Sequence, residues 1–237
     1  MPEHHKSKRL AGAALAALIV ALPGSFAAAQ KIAFERYTLD NGLTVILHED
    51  HRLPRVAVNL WYYVGSKDEP KGRSGFAHLF EHLMFMGTNN VPIGQFDNIM
   101  EGAGGSNNAT TSSDRTNYFE SGPRELLELF LFLEADRMTG LSRAMTLEKL
   151  NTQRGVVRNE RRQSYENRPY GQLWLEIPAL IYPAGHPYHH PVIGSHTDLE
   201  NAAVSDVVDF FDGFYFPANA SLAIAGDFDP GEARELV

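Results

Sequence analysis

Apolar positions along the chain change their spacing from two to three or four and back, and each change marks a new element. Residues 34–39 and 43–49 read as two strands around Asp40-Asn41-Gly42, a turn sequence that favours a hairpin. From 55 to 65, Val56, Val58, Leu60, Tyr62 and Val64 recur at period two. Ala57, Trp61 and Tyr63 fill alternate positions, so this segment predicts a strand buried on both faces. A polar loop over 67–75 follows, with Ser74 placed to cap a helix that runs to about Met86. A second helix is expected over 94–101, stopped by Gly102-Ala103-Gly104-Gly105. Two short strands are expected over 107–112 and 116–120.

Pro123 suits the first position of a helix, and Leu126, Leu127, Phe130, Leu131 and Leu133 give the stretch to Met138 a broad apolar face. A long polar helix is expected over 146–166, ending before Pro169. Residues 171–181 and 204–214 read as partly apolar helices, and 220–225 as an apolar strand before Gly226-Asp227. No repeat or linker interrupts the series. Strands and helices are interspersed without strict alternation, which favours an α+β fold over a doubly wound parallel sheet.

The first thirty residues stand apart. Lys6, Lys8 and Arg9 precede an apolar run over 10–22, then Pro23-Gly24 and Ala27-Ala28-Ala29, the pattern of a secretory signal peptide cleaved after Ala29. The run is shorter than the roughly 20 residues of a membrane span. The expected domain is therefore 30–237, exported and most simply periplasmic, with no stable membrane span once the leader is removed. His4 and His5 leave with the leader.

Composition narrows the chemistry. The net charge of −8 argues against nucleic acid as a partner, because phosphate binding needs clustered Lys and Arg. The absence of cysteine excludes disulfide scaffolds, thiolate metal sites and cysteine nucleophiles. A metal site here must use imidazole and carboxylate, and the chain has ten histidines.

His78-Leu79-Phe80-Glu81-His82 answers that requirement. Residues four apart lie one turn above each other on a helix, so the two imidazoles can grip one ion. At 100° per residue, Phe76, Leu79, Phe80 and Leu83 form one stripe, with His78, Glu81 and His82 nearly opposite. The alternative is a solvated face with two unconnected histidines. Glu160 is the candidate third ligand: it shares a helix face with Gln153, Val156 and Val157, while Arg158, Arg161 and Arg162 point elsewhere and read as solvated. A carboxylate on a valine stripe is costly unless paired or coordinated; on spacing alone a salt bridge to a distant Arg also satisfies it. His48 and His51 read as solvated. His186, His189 and His190 lie in a Pro-rich loop and could hold a second metal, a weaker reading. Tyr63, Tyr118 and Phe119 read as packing residues.

The chain resembles the insulinase/pitrilysin family of zinc peptidases, whose inverted motif is H-x-x-E-H, and within it the mitochondrial-processing-peptidase type and its bacterial relatives. The resemblance runs through 36–45, 75–88, 104–118, 156–163, Asn167-Arg168-Pro169-Tyr170 and Gly226-Asp227-Phe228. It implies a mostly antiparallel sheet with helices packed on one face. It implies one zinc per chain held by His78, His82 and Glu160, with Glu81 as the general base that activates water. It implies a peptide bound as an added strand at Asn108 and Ala109. Two departures follow from the same comparison: Gln153 stands where the family carries a supporting Glu, and the family's second domain is absent. The expected function is a zinc endopeptidase, or its catalytic half, acting on peptides or unfolded segments. The alternative is a zinc-binding but inactive peptide-binding or partner subunit of a two-component peptidase.

Overall fold

The computed structural model describes residues 32–237, so the segment read as a leader lies outside the described residues. The strand-period segments build one sheet. Its strands are β1 (Glu35–Thr38), β2 (Thr44–Glu49), β3 (Arg55–Tyr62), β4 (Ser106–Thr111), β5 (Thr116–Pro123) and β6 (Ala220–Gly226). Their order is β1-β2-β6-β3-β5-β4, and every pair is antiparallel except β2–β6. The turn between β1 and β2 needs Gly42: its φ is 90°, and a Cβ there would lie 2.6 Å from the Ala218 Cβ.

The sheet buries one face. In β3, Val56, Val58, Leu60 and Tyr62 are buried while the alternate residues are not, with Trp61 36% exposed. The expected two-sided burial is thus corrected: Ala57, Trp61 and Tyr63 on the second face are open to solvent. Leu222 and Ile224 of β6 and Val45 and Leu47 of β2 join the buried side. Helices α1 (Phe76–Leu83), α3 (Leu127–Ala144) and α7 (Val204–Phe214) are among those that contribute apolar faces to that core. Tyr62 of β3 packs on Tyr118 of β5 and on Tyr215, and Phe80 of α1 packs on Phe210, Phe211 and Tyr215. This aromatic cluster joins sheet and helices.

The remaining helices are α2 (Gln95–Gly102), α4 (Leu147–Arg161), α5 (Gly171–Ile181), α6 (His196–Glu200) and α8 (Pro230–Leu236). Thr146, the expected first residue of this helix, instead caps it, and α4 continues through a wider turn, Arg162–Glu166. Pro123 is corrected from helix start to the end of β5. Its backbone is extended (φ −51°, ψ 147°), and a tight turn, Arg124–Leu126, separates it from α3. α3 also runs past Met138 because Leu141 is buried. Ser195 and Asp229 cap α6 and α8, two short helices that carry too few periodic positions to register in the sequence.

A charged cluster lies in the core. Arg137 of α3 is 2% exposed and donates to Glu120 of β5 (2.8 Å) and to Glu134. Its guanidinium also lies over Phe85, Phe96 and Tyr118 at 4.5–5.2 Å. One cation serves two buried carboxylates, and burial and the neighbouring Glu134 push Glu120 well above the usual carboxylate range. Arg137→Met is therefore expected to lower unfolding free energy by about 3–5 kcal/mol at neutral pH, because it strands two buried carboxylates. Urea unfolding measures this. The loss should shrink in acid, where the stranded carboxyls take up protons.

Candidate metal centre

α1 presents two faces, as its sequence spacing predicts. Phe76, Leu79, Phe80 and Leu83 are buried in the core, and His78, Glu81 and His82 point away from it. The start of the helix differs from expectation. Ser74 does not cap it: the Ser74 hydroxyl donates to Asp198 Oδ2 at 2.5 Å. The capping group is Glu69, whose side chain is fully buried and whose carboxyl is pushed up to about 8 by that burial. Its Oε2 accepts from Gly75 N (3.0 Å) and its Oε1 from Ala77 N (2.8 Å).

α4 packs beside α1 and brings in the third group. Glu160 Oε2 lies 3.4 Å from His82 Nε2 and 3.7 Å from His78 Nε2. The three ligand atoms fall within 4.8 Å of one another, and these residues form the metal-ligating cluster found among the described residues. The two imidazole rings meet edge to face with centroids 4.8 Å apart. Burial drives His78 down to about 4, so its imidazole is neutral at physiological pH. The hydrogen bond from His82 holds Glu160 below the usual carboxylate range. A neutral imidazole and an ionised carboxylate are the forms that bind a metal.

Glu81 sits on the same face with a different environment. Burial raises it above the usual carboxylate range, against the pull of a hydrogen bond from Thr111 Oγ1 to Glu81 Oε2 (2.5 Å). Asn108 and Ala109 lie on β4, one of the two edge strands, and Ala109 N donates to Asn108 Oδ1 (2.8 Å). Glu81, His82, Phe85, Asp97, Asn107, Asn108 and Ala109 line one hollow of about 280 Å³, so the edge strand and the helix share a cavity. A larger hollow of about 610 Å³ beside Arg52 and Arg55 has no such convergence of ligands. Gln153 points to α1's end, where its Nε2 contacts Met86 Sδ at 2.8 Å.

Several sequence expectations change here. Val157 is buried, but Val156 is 44% exposed, so Glu160 stands at the rim of an apolar face. Arg158 and Arg161 are not solvated: Arg158 pairs with Glu200 (2.6 Å), and Arg161 binds Glu166 (2.9 Å) and Gly194 O (2.7 Å). His51 is bonded to Glu49 and Asp227 at 2.5 Å each. In the Pro-rich loop, His186 stacks on Tyr182, His189 bonds Tyr182 O, and His190 faces Glu69, so each has its own partner. Tyr118 packs in the core, whereas Tyr63 and Phe119 lie on the open face of the sheet. Glu69 and Thr111 were not singled out by sequence reasoning. A signal exists for Thr111, which lies two residues beyond Ala109 and so shares its face of β4.

The fold carries a His-His-Glu cluster able to hold a metal ion, and comparison with known proteins gives the family. Residues 44–176 match the model of the insulinase family, peptidase family M16. The chain belongs to that family. It is 35% identical over 238 residues to the zinc protease PqqE of Helicobacter pylori, covering 99% of this chain and 52% of that protein. The crystal structure of a protease from Helicobacter pylori superposes with a TM-score of 0.82 at 35% identity, covering 87% of this chain and 49% of that one. The ferredoxin protease FusC, crystallised with Arabidopsis ferredoxin, matches at TM-score 0.77 and 26% identity, covering 86% of this chain and 23% of that one. The chain thus spans about half the length of the Helicobacter relative.

The residues fit a zinc ion. Two imidazole nitrogens and one carboxylate oxygen converging from two helices are the donor set and number of a three-ligand site that keeps a fourth position open. The setting of α1 depends on Glu69. Glu69→Ala leaves two helix-end N–H groups without their buried acceptor, and a loss of about 2–3 kcal/mol is expected by denaturant unfolding of the metal-free protein.

Proposed function

We propose that this chain is a zinc-dependent endopeptidase domain, the catalytic half of a peptidase that a second domain or partner subunit completes. The observation that carries the reading is the convergence of His78, His82 and Glu160 with Glu81 beside them on the same helix face. A bound zinc would lower the pKa of a water toward ~7 and polarise the scissile carbonyl. His78 and His82 would hold it through Nε2 and Glu160 through Oε2. Glu81 then takes the proton of the attacking water and delivers it to the leaving amine. Its raised affinity for a proton suits both halves of that exchange. The edge of β4 at Asn108 and Ala109 receives the peptide as an added strand, so backbone hydrogen bonds bind it with little sequence preference. Peptides and unfolded segments are substrates of that form.

The domain would comprise 30–237, with residues 1–29 as an export signal and the periplasm as its place of work. Support comes from the leader's sequence pattern and from the Escherichia coli relative PqqL, described as a periplasmic protease. No described helix is long and apolar enough to cross a membrane.

A second reading is a zinc-loaded, inactive subunit that captures peptides. Gln153 favours it, since an uncharged amide against Met86 Sδ occupies the place of the family's supporting acid.

The two readings separate in one set of measurements. The purified chain is expected to carry close to one zinc, lost in His78→Ala. With the second half supplied, Glu81→Gln should retain the metal and lose peptide hydrolysis, a drop of about 100-fold or more. Hydrolysis absent even then, with zinc bound, selects the inactive subunit; a chain without zinc affinity overturns both. Gln153→Glu is expected to raise turnover, read as kcat at constant zinc content.

A further inference from the structure

A general base uses one carboxylate oxygen to move a proton, and Glu81 has two. Oε2 is already engaged by the hydroxyl of Thr111. That hydroxyl is a fixed point. Thr111 ends β4 opposite Thr116 of β5, and Thr116 is fully buried with its own hydroxyl on Val64 O at 3.0 Å. In the turn between the strands, Arg115 donates to Thr110 O (2.8 Å) and to Asn117 Oδ1 (2.7 Å). Its guanidinium lies over Trp61 at 5.1 Å. The end of β4 is therefore held from three sides. A glutamate side chain otherwise loses considerable rotamer freedom when it adopts one reactive pose. A short hydrogen bond to one charged oxygen fixes the carboxylate plane and leaves Oε1 free.

We propose that Thr111 is a positioning residue: its hydroxyl locks the Glu81 carboxylate in the orientation that serves the reacting water, and ties that orientation to the edge strand on which the peptide adds. The inference rests on the hydrolytic reading above. Ala109 and Thr111 are two residues apart on β4, so the strand that would hold the substrate backbone also carries the partner of the base. Seating of a peptide on that edge and aiming of the base then share one rigid element.

The test compares the wild-type chain with Thr111→Val and Thr111→Ser. Valine keeps the β-branched shape and removes the donor; serine keeps the donor. The first measurement is zinc content and the dissociation constant of acetohydroxamate, a small metal-binding group that also needs a well-placed base. The second is turnover of an unstructured fluorogenic peptide with the second half present. Zinc content is expected to be equal in all three. Thr111→Val is expected to weaken acetohydroxamate at least about fivefold and to lower kcat about 10–100-fold with KM unchanged, while Thr111→Ser stays within about twofold of wild type. A merely structural role would move stability and zinc content instead, and serine would not restore the hydroxamate affinity. If Thr111→Val matches wild type while Glu81→Gln loses both signals, the inference is overturned and the hydrolytic reading stands. If the wild-type chain binds neither zinc nor acetohydroxamate, the hydrolytic reading itself fails. Circular dichroism checks folding, and Thr111→Ala removes the same hydroxyl should the valine variant not fold.

Discussion

Two histidines four residues apart can grip one ion only if their helix is fixed in rotation about its own axis. α1 has eight residues, too few for a helix to persist on its own propensity. A slip of one residue would turn it by 100° and carry the imidazoles toward the core. Three contacts prevent that. Phe76, Leu79, Phe80 and Leu83 key the helix into the aromatic cluster. Glu69 pins its first turn through two backbone N–H groups. α4 closes the other side with Glu160. The site is thus the residue of a packing problem: what does not fit in the core is what faces the metal position.

Most of this was legible in the sequence because periodicity reports burial. The opposed stripes of α1, the extent of α5 and α7, and the β1–β2 turn all follow from local patterns. The convergence of Glu160 with the two histidines was foreshadowed by a carboxylate on a partly apolar face. What local pattern could not give was long-range pairing. Ser74 reads as a cap, but Asp198, far along the chain, takes its hydroxyl, and Glu69 does the capping. Arg158 and Arg161 read as solvated because their partners, Glu200 on the short helix α6 and Gly194 in the loop before it, are far along the chain. β3 reads as two-sided because aromatic residues such as Trp61 look alike whether they pack in a core or lie on an open sheet.

The two carboxylates of the site illustrate how environment divides labour. Glu160 is half-exposed, receives a hydrogen bond from His82 and stays ionised, which suits a ligand. Glu81 is more enclosed, and burial makes it hold a proton more readily, which suits a group that must take one up and release it. The carboxylates of Glu81 and Glu160 therefore differ in their hold on a proton through solvent access and hydrogen bonding, with the same functional group on each.

The place of β6 has a consequence for the order in which the sheet is made. The hairpin β1–β2 reaches the rest of the sheet only through β6, the last of the described strands. Synthesis releases that hairpin first, yet it has no partner until residues 220–226 emerge. Closure of the sheet joins β2 to β6, segments far apart in sequence, which is slow because a long loop must be closed before the contact forms. During synthesis the sheet therefore stays open until residue 226 has emerged, and the hairpin waits unpaired on the β6 side until then.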